Sequence, residues 1–358
     1  MMKKERILVI NPGSTSTKIA VFEGENVAAE KNIDHDAAVI KKYARVADQL
    51  EFRKKAVLDF LQEAGIPAGS LDCVVGRGGL LRPISGGTYL VDEAMCRELQ
   101  NAEKEHASNL GALISWEIAR PLGICSYIAD PVVVDEMEPL ARLSGLKGIE
   151  RKSVFHALNQ KAVARQAAAA LNKGYGECCL IVAHLGGGIS VGAHRNGRVI
   201  DVNNALDGDG PFSPERAGGM PVCAVIDLCL HSGLGEKEIK KRLVGGGGLV
   251  SYLGTNDARK VEAMIREGNE EARLVFEAMA YQVAKEIGSC AAVLKGRVDA
   301  VVLTGGLAHS GMLVGWIRER VEFIAPVLVY PGEGEMEALA AAGLRVLRGE
   351  EPPRRYEC

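Results

Sequence analysis

Several stretches of this chain carry residue types and spacings suited to phosphate and carboxylate chemistry. Asn11-Pro12-Gly13-Ser14-Thr15-Ser16-Thr17-Lys18 gathers an amide, a glycine, several hydroxyls and an ammonium in one short turn. Such a turn offers backbone N–H groups, O–H donors and positive charge to phosphate oxygens. Gly186, Gly187 and Gly188, after His184-Leu185, can bring backbone N–H groups to a phosphate with no Cβ in the way. Arg77 ends an apolar run among Gly76, Gly78 and Gly79, and its planar fork fits a carboxylate at two points. The flanking glycines would let a ligand approach the backbone closely. Asp130 follows the run Ser126–Ala129. It is either the polar stop of a strand in an Asp-Pro turn or a carboxylate that orders metal-bound water or the attacking group. His156, after Phe155 at a helix start, reads by itself as a packed, half-buried side chain.

These residues need elements to hold them. Ile7–Ile10 and Ile19–Phe22 flank the first polar turn and make a hairpin. The same pattern recurs in Cys179–Val191, with Asn11 falling on His184 at an offset of 173, Gly13 on Gly186 and Gly24 on Gly197. A strand ending in Gly-Gly-Leu also occurs twice, from Asp72 to Leu80 and from Asp299 to Leu307, at an offset of 227. Hairpin, strand, hairpin, strand implies two similar half-proteins. The second half carries 54 extra residues between its landmarks, the difference between the two offsets, which fall between Asn203 and about Asp257. Helical spacing predicts helices over 36–64, from Asp92, over 109–120, from Ser153 to Leu171, near 222–231, over 269–295 and over 334–347. Val132–Val134 reads as extended, Gly245–Gly248 as a flexible connection and Glu350–Cys358 as a frayed tail. Strands alternating with helices give an α/β class.

A chain of 358 residues suits two domains. A formal net charge of −3 without a basic stripe gives no reason to expect nucleic acid. The apolar run after the basic N-terminus is too short for a signal peptide, and no stretch is long enough to span a membrane. Nine cysteines without a Cys-x-x-Cys pattern point to a reduced, cytoplasmic protein without a zinc site.

The paired halves resemble the actin-like ATPase fold. The segment Asn11–Lys18, Phe155-His156 with Asn159, His184–Ser190, Asn256–Arg259 and Thr304–Gly306 together resemble the acetokinase family, in order along nearly the whole chain. Arg77–Pro83, Asp130–Met137 and Ser213–Gly218 are similar to its butyrate-kinase branch. The resemblance implies two ribonuclease H-like domains with ATP in the cleft between them. Residues 1–150, joined by a C-terminal helix at about 337–358, would be the acyl-substrate side, and 151–336 the nucleotide-binding side. It implies a homo-oligomer that uses ATP/ADP and Mg2+ to convert a short-chain fatty acid to its acyl phosphate.

For the residues, the resemblance implies Arg77, Asp130, His156 and Arg216 as catalytic. His156 would donate to the transferring phosphoryl group, and Arg216 is the candidate second active-site arginine. Asn11, Ser14, Ser16, Lys18, His184, Gly186, Gly187, Gly188, Asp257, Arg259, Gly305 and Gly306 would bind nucleotide. Gly187 stands where acetate kinases place an asparagine, so its contact would come from backbone. Asp257 also reads as a helix N-cap. Glu335, which otherwise only complements a helix dipole, would associate with Mg2+, with Glu333 as the neighbouring alternative. Acetate, propionate or a branched acid as substrate, a sugar or polyol kinase, and a non-catalytic ATP-binding module remain the alternatives.

Overall fold

The computed structural model describes residues 4–102, 105–207 and 209–357. The chain divides into two compact units, Met1–Val134 with Gly334–Cys358, and Asp135–Glu333. Residues 135–150 therefore group with the second unit, not the first. The reason is local: Glu138 N–H donates to the Ile200 carbonyl at 2.9 Å, and Lys161 pairs with Glu136 in a fully buried bridge at 2.9 Å.

The first unit holds β1 (Arg6–Pro12), β2 (Ser16–Glu23), β3 (Asn26–Asp34), β4 (Cys73–Arg77), β5 (Thr88–Leu90) and β6 (Cys125–Ala129) in the order β3-β2-β1-β4-β6-β5. β1 pairs antiparallel with β2 and parallel with β4, and β4 runs parallel to β6. Both faces of β1 are buried, and alternation divides its side chains. Leu8, Ile10 and Val74 pack with helices Leu50–Glu63 and Asn109–Leu122. Ile7, Cys73 and Val75 face Gly343 of helix Glu335–Leu347 on the other side.

The second unit repeats this plan with β7 (Cys179–Leu185), β8 (Ile189–Arg195), β9 (Arg198–Val202), β10 (Ala300–Gly305) and β11 (Val327–Pro331), ordered β11-β10-β7-β8-β9. Leu180, Val182, Ala300 and Val302 pack on helix Ala157–Ala170, and Ile181, Ala183, Val301 and Leu303 on helices Glu270–Val293 and Gly311–Val321. One detail repeats atom for atom. Asp72 accepts from Arg6 N–H at 2.7 Å and returns its own N–H to the Arg6 carbonyl at 2.8 Å. Asp299 does the same with Cys179, at 2.8 and 2.7 Å. The turns differ by one residue: Gly13–Ser16 separate Pro12 from Thr17, whereas only Gly186–Gly188 separate Leu185 from Ile189. Gly24 and Gly197 thus occupy successive, not equivalent, places in their turns, although both have positive φ (60° and 79°).

Elsewhere the sequence expectation needs correction. The stretch 36–64 is not one helix; Ala37–Ile40, capped by Asp36, ends before a short 3-10 turn and Leu50–Glu63. Strand β3 was not anticipated, because none of its residues is fully buried and its polar and apolar residues do not alternate, as an edge strand allows. The helix after Ser153 starts only at Ala157, with His156 as its N-cap. Val132–Val134 is a turn with one bridge to Ile84. The C-terminal tail is tied down: Arg354 bridges Tyr89, and the buried Tyr356 donates its hydroxyl to Glu98 at 2.7 Å. Gly245–Gly248 is no flexible connection. A Cβ on Gly248 would overlap the Ser213 carbonyl, and Gly245 N–H donates to the Glu215 carbonyl at 2.7 Å. The glycines form the bed on which the loop 213–217 lies. Of the extra segment between Asn203 and about Asp257, Gly208 lies outside the described residues.

Candidate functional site

In the first unit the polar residues collect at the carboxyl ends of parallel strands, where open α/β sheets hold ligands. Asn11, its cross-strand partner Lys18 and Arg77 stand on the sheet face that helix Glu335–Leu347 covers. That helix brings Glu335, in its first turn, to them. Asn11 Nδ2 donates to Glu335 Oε2 at 2.7 Å, and Arg77 Nη1 lies 3.2 Å from both Asn11 Oδ1 and Glu335 Oε2. Arg77 Nη2 completes the pair with Glu335 Oε1 at 3.1 Å. Arg77 keeps 36% of its side chain exposed.

The glycines beside Arg77 have a different task from the one expected. A Cβ on Gly76 would overlap the Gly111 carbonyl, and one on Gly111 would overlap the Arg77 carbonyl. Cβ atoms on Gly78 and Gly79 would press on Pro131 and Asn109, at 2.5 and 2.6 Å. Gly76, Gly79 and Gly111 let β4 and helix Asn109–Leu122 approach each other, and Gly78 lets the chain pass Pro131, so packing already requires these glycines. Asp130 sits at φ 37°, a strained conformation for a residue with a side chain, and is buried. Its carboxylate accepts from Gly87 N–H at 2.7 Å, which fixes it at the end of β6.

Ser14 and Lys18 are exposed and Ser16 half-buried, with Gly13 N–H closing the turn on the Ser16 carbonyl at 2.8 Å. Beneath the turn lies Arg53, which the sequence reading missed. Its guanidinium is fully buried and donates to the carbonyls of Gly13, Ser16 and Ser14 at 2.8, 2.7 and 3.1 Å, and to Thr17 Oγ1 at 3.0 Å. Burial pulls its pKa down to about 10. By drawing the carbonyls inward, Arg53 leaves the hydroxyls of Ser14 and Thr15 on the outer side.

The second unit places its polar residues in the matching positions. His184, its partner Ser190 and Thr304 share the face of helix Ala157–Ala170, and His156 stands at that helix's N-terminus. The rings of His156 and His184 stack with centroids 3.8 Å apart. Gly186 N–H closes the turn on the Gly188 carbonyl at 3.1 Å. Arg216 lies directly over Gly188, where a Cβ would overlap its Nη1, and it donates to the Ala205 carbonyl. Burial lowers the Arg216 pKa against the pull of Glu215 and Asp207. Ser213 Oγ donates to the Gly187 carbonyl at 2.6 Å, which joins loop and turn. A Cβ on Gly187 would lie 3.7 Å from Glu215 Oε2, and Asn256 donates to the same carboxylate.

Asp257 is engaged twice over: it caps helix Ala258–Arg266 through Arg259 N–H and pairs with the exposed Arg259 guanidinium at 2.9 Å. Gly305, at φ 89°, is required because a Cβ would overlap the Leu185 carbonyl, whereas Gly306 has open space. Glu333 is exposed and belongs to the second unit; its carbonyl accepts from Asn159 Nδ2 at 2.6 Å.

For magnesium the donor set is of the right kind but sparse. Glu335 is an oxygen ligand with both oxygens already taken by Asn11 and Arg77. No cluster of three His, Cys, Asp or Glu able to hold a metal occurs among the described residues. No helix among the described residues is long and apolar enough to cross a membrane.

The two sheets and their site ends define a protein of the actin-like ATPase and sugar-kinase fold. Solved structures of this kind include the acetate kinase of Porphyromonas gingivalis, at 20% identity and TM-score 0.79 over 96% of this chain and 100% of that one. A propionate kinase from Francisella tularensis is similar at 20% identity and TM-score 0.72, over 94% and 98%. The ROK hexokinase of Thermus thermophilus shares the fold at 14% identity and TM-score 0.50, over 94% and 98%. The acetokinase family model matches residues 143–324, about half of the chain and all within the second unit. The chain belongs to the acetokinase family.

Proposed function

We propose that this protein is a carboxylate kinase that transfers the γ-phosphoryl group of ATP to a short-chain fatty acid, with butyrate the preferred acid. The observation that carries the reading is the grip of Arg77 on a carboxylate at two points beside Asn11 of the phosphate turn. The carboxylate seen there is Glu335, which stands in for the substrate's.

A fatty acid is ionised at neutral pH, so the reaction needs no general base. One carboxylate oxygen attacks the γ-phosphorus, the bond to the β–γ bridging oxygen breaks, and ADP leaves with that electron pair. The obstacle is the approach of one anion to another, and positioning with charge neutralisation overcomes it. In this reading Arg77 holds the acid and His156 and Arg216 take up charge on the phosphoryl oxygens. Gly186–Gly188, Asp257, Arg259, Gly305 and Gly306 hold the nucleotide, and Asn11, Ser14, Ser16 and Lys18 hold the transferring end. Bound magnesium would neutralise phosphate charge, with Glu335 reaching it through water. Asp130 orders water or the attacking group.

Acid length is a matter of pocket volume, since one methylene changes selectivity by only about 1–3 kcal/mol. The protein is offered Mg-ATP with each straight and branched acid from acetate to pentanoate, and glycerol and glucose in parallel, and the product is followed by its phosphorus resonance. A maximum at butyrate or isobutyrate supports the reading. A maximum at acetate or propionate moves the substrate within the class, and transfer to the polyols alone replaces the class.

A further inference from the structure

The partners of the two stacked imidazoles decide which nitrogen of each carries its proton. The Ser190 carbonyl can only accept, and Gln160 Nε2 donates to it at 2.9 Å and to Ser190 Oγ at 2.8 Å. Both N–H bonds of that amide are then used, and its Oε1 is the atom that meets His194 Nε2 at 3.0 Å. His194 therefore carries its proton on Nε2, and its Nδ1 accepts from the Tyr175 hydroxyl at 2.9 Å. Ser190 is fully buried, and of the two partners of its Oγ among the described residues the Gln160 amide nitrogen can only donate, so the hydroxyl proton goes to His156 Nδ1 at 2.9 Å. A lone pair at Nδ1 leaves the His156 proton on Nε2.

The second ring is held the other way. Asn159 Nδ2 donates to the Glu333 carbonyl at 2.6 Å, so its Oδ1 is the atom facing His184 Nδ1 at 2.7 Å. His184 carries its proton on Nδ1. Burial keeps this ring neutral by lowering its pKa well below the ordinary value. Its Nε2 is then a bare acceptor. Gly192 makes room for the chain of hydrogen bonds, since a Cβ there would lie 2.6 Å from Gln160 Oε1.

We propose that Gln160 and Asn159 lock the stacked pair in opposite neutral tautomers, so that His156 offers an N–H at Nε2 and His184 offers none there. Gln160, Ser190 and Asn159 are then positioning residues for the transfer reaction, and this consequence rests on the function proposed above. His156 is the ring that can donate to a phosphoryl oxygen. The bare Nε2 of His184 repels an anion, so His184 supports its neighbour by stacking and does not bind phosphate itself.

The test is nitrogen NMR of the imidazoles in the full-length protein at neutral pH, with each ring assigned by substituting it with glutamine. The expected spectrum has a pyrrole-type Nε2 and pyridine-type Nδ1 on His156, and the reverse on His184. In Gln160→Glu, a carboxylate takes the Ser190 proton, so His156 should move its own to Nδ1 while His184 stays unchanged. Its kcat should fall about tenfold or more with the KM for ATP little changed. The same tautomer on both rings, or an unshifted His156 in Gln160→Glu, overturns the proposal. The wild-type spectrum decides even if the variant does not fold. Opposite tautomers in a protein that phosphorylates no acid would leave the lock standing and remove the proposed reaction.

Discussion

Arg77 and Glu335 form a two-point ion pair, Nη1 to Oε2 at 3.2 Å and Nη2 to Oε1 at 3.1 Å. The substrate carboxylate proposed above and Glu335 therefore compete for one guanidinium. A partly exposed pair of this kind is worth up to about 1 kcal/mol. Glu335→Gln should lower the KM for the acid by about two- to fivefold while raising the magnesium needed for half-maximal rate. Initial rates against acid at saturating Mg-ATP check this. An unchanged or higher KM for the acid means that Glu335 does not compete for Arg77.

Arg53 should matter to the first turn although it reaches no ligand. Arg53→Met strands the carbonyls of Gly13, Ser14 and Ser16, and unfolding in denaturant should show a loss of roughly 2–4 kcal/mol. Arg53→Lys, which keeps the charge but has fewer donors, should fall between wild type and Arg53→Met. A loss below about 0.5 kcal/mol, typical of a surface substitution, would show that the turn holds itself.

Arg216 and Gly188 should behave as one unit. In Gly188→Ala the new methyl takes the place of the Arg216 guanidinium, so the variant should lose about as much activity as Arg216→Ala. The double variant should be no worse than either single one. Additive losses in kcat/KM would show that the two act independently.

The buried histidines set an acid limit on stability. Burial holds His184 and His194 well below the ordinary value of 6.5, in His184 with help from His156 and in His194 from Lys161 and Arg165. Below pH 6.5 the unfolded chain binds these protons and the folded chain does not, so stability falls as pH falls. Each pH unit below 6.5 should cost up to about 1.4 kcal/mol per ring, read from denaturant midpoints at successive pH values. A flat profile from neutral pH down to about pH 5 would mean that the rings titrate normally when folded.

Much of the frame was legible because it is local. The turn after β1, the Asp92 cap and the long helix after Asn269 each have their cause within a few residues. What escaped depends on distant partners. Arg53 sits in a charged stretch that reads as a solvated helix face, and only the turn 37 residues earlier explains its burial. Gly76 was read as a ligand approach because its true neighbour, Gly111, lies on another element. Strand β3 has no buried face to write a pattern, and the roles of Gln160 and Ser190 exist only as links in a hydrogen-bond chain.

The most direct test of the central claim traps the product of butyrate and Mg-ATP with hydroxylamine, in wild type and in Arg77→Ala. Acyl hydroxamate should form in step with ADP in the wild type. In Arg77→Ala the KM for butyrate should rise about a hundredfold with the KM for ATP little changed. No hydroxamate from any short acid, or an Arg77→Ala enzyme with the wild-type KM for butyrate, would contradict the account.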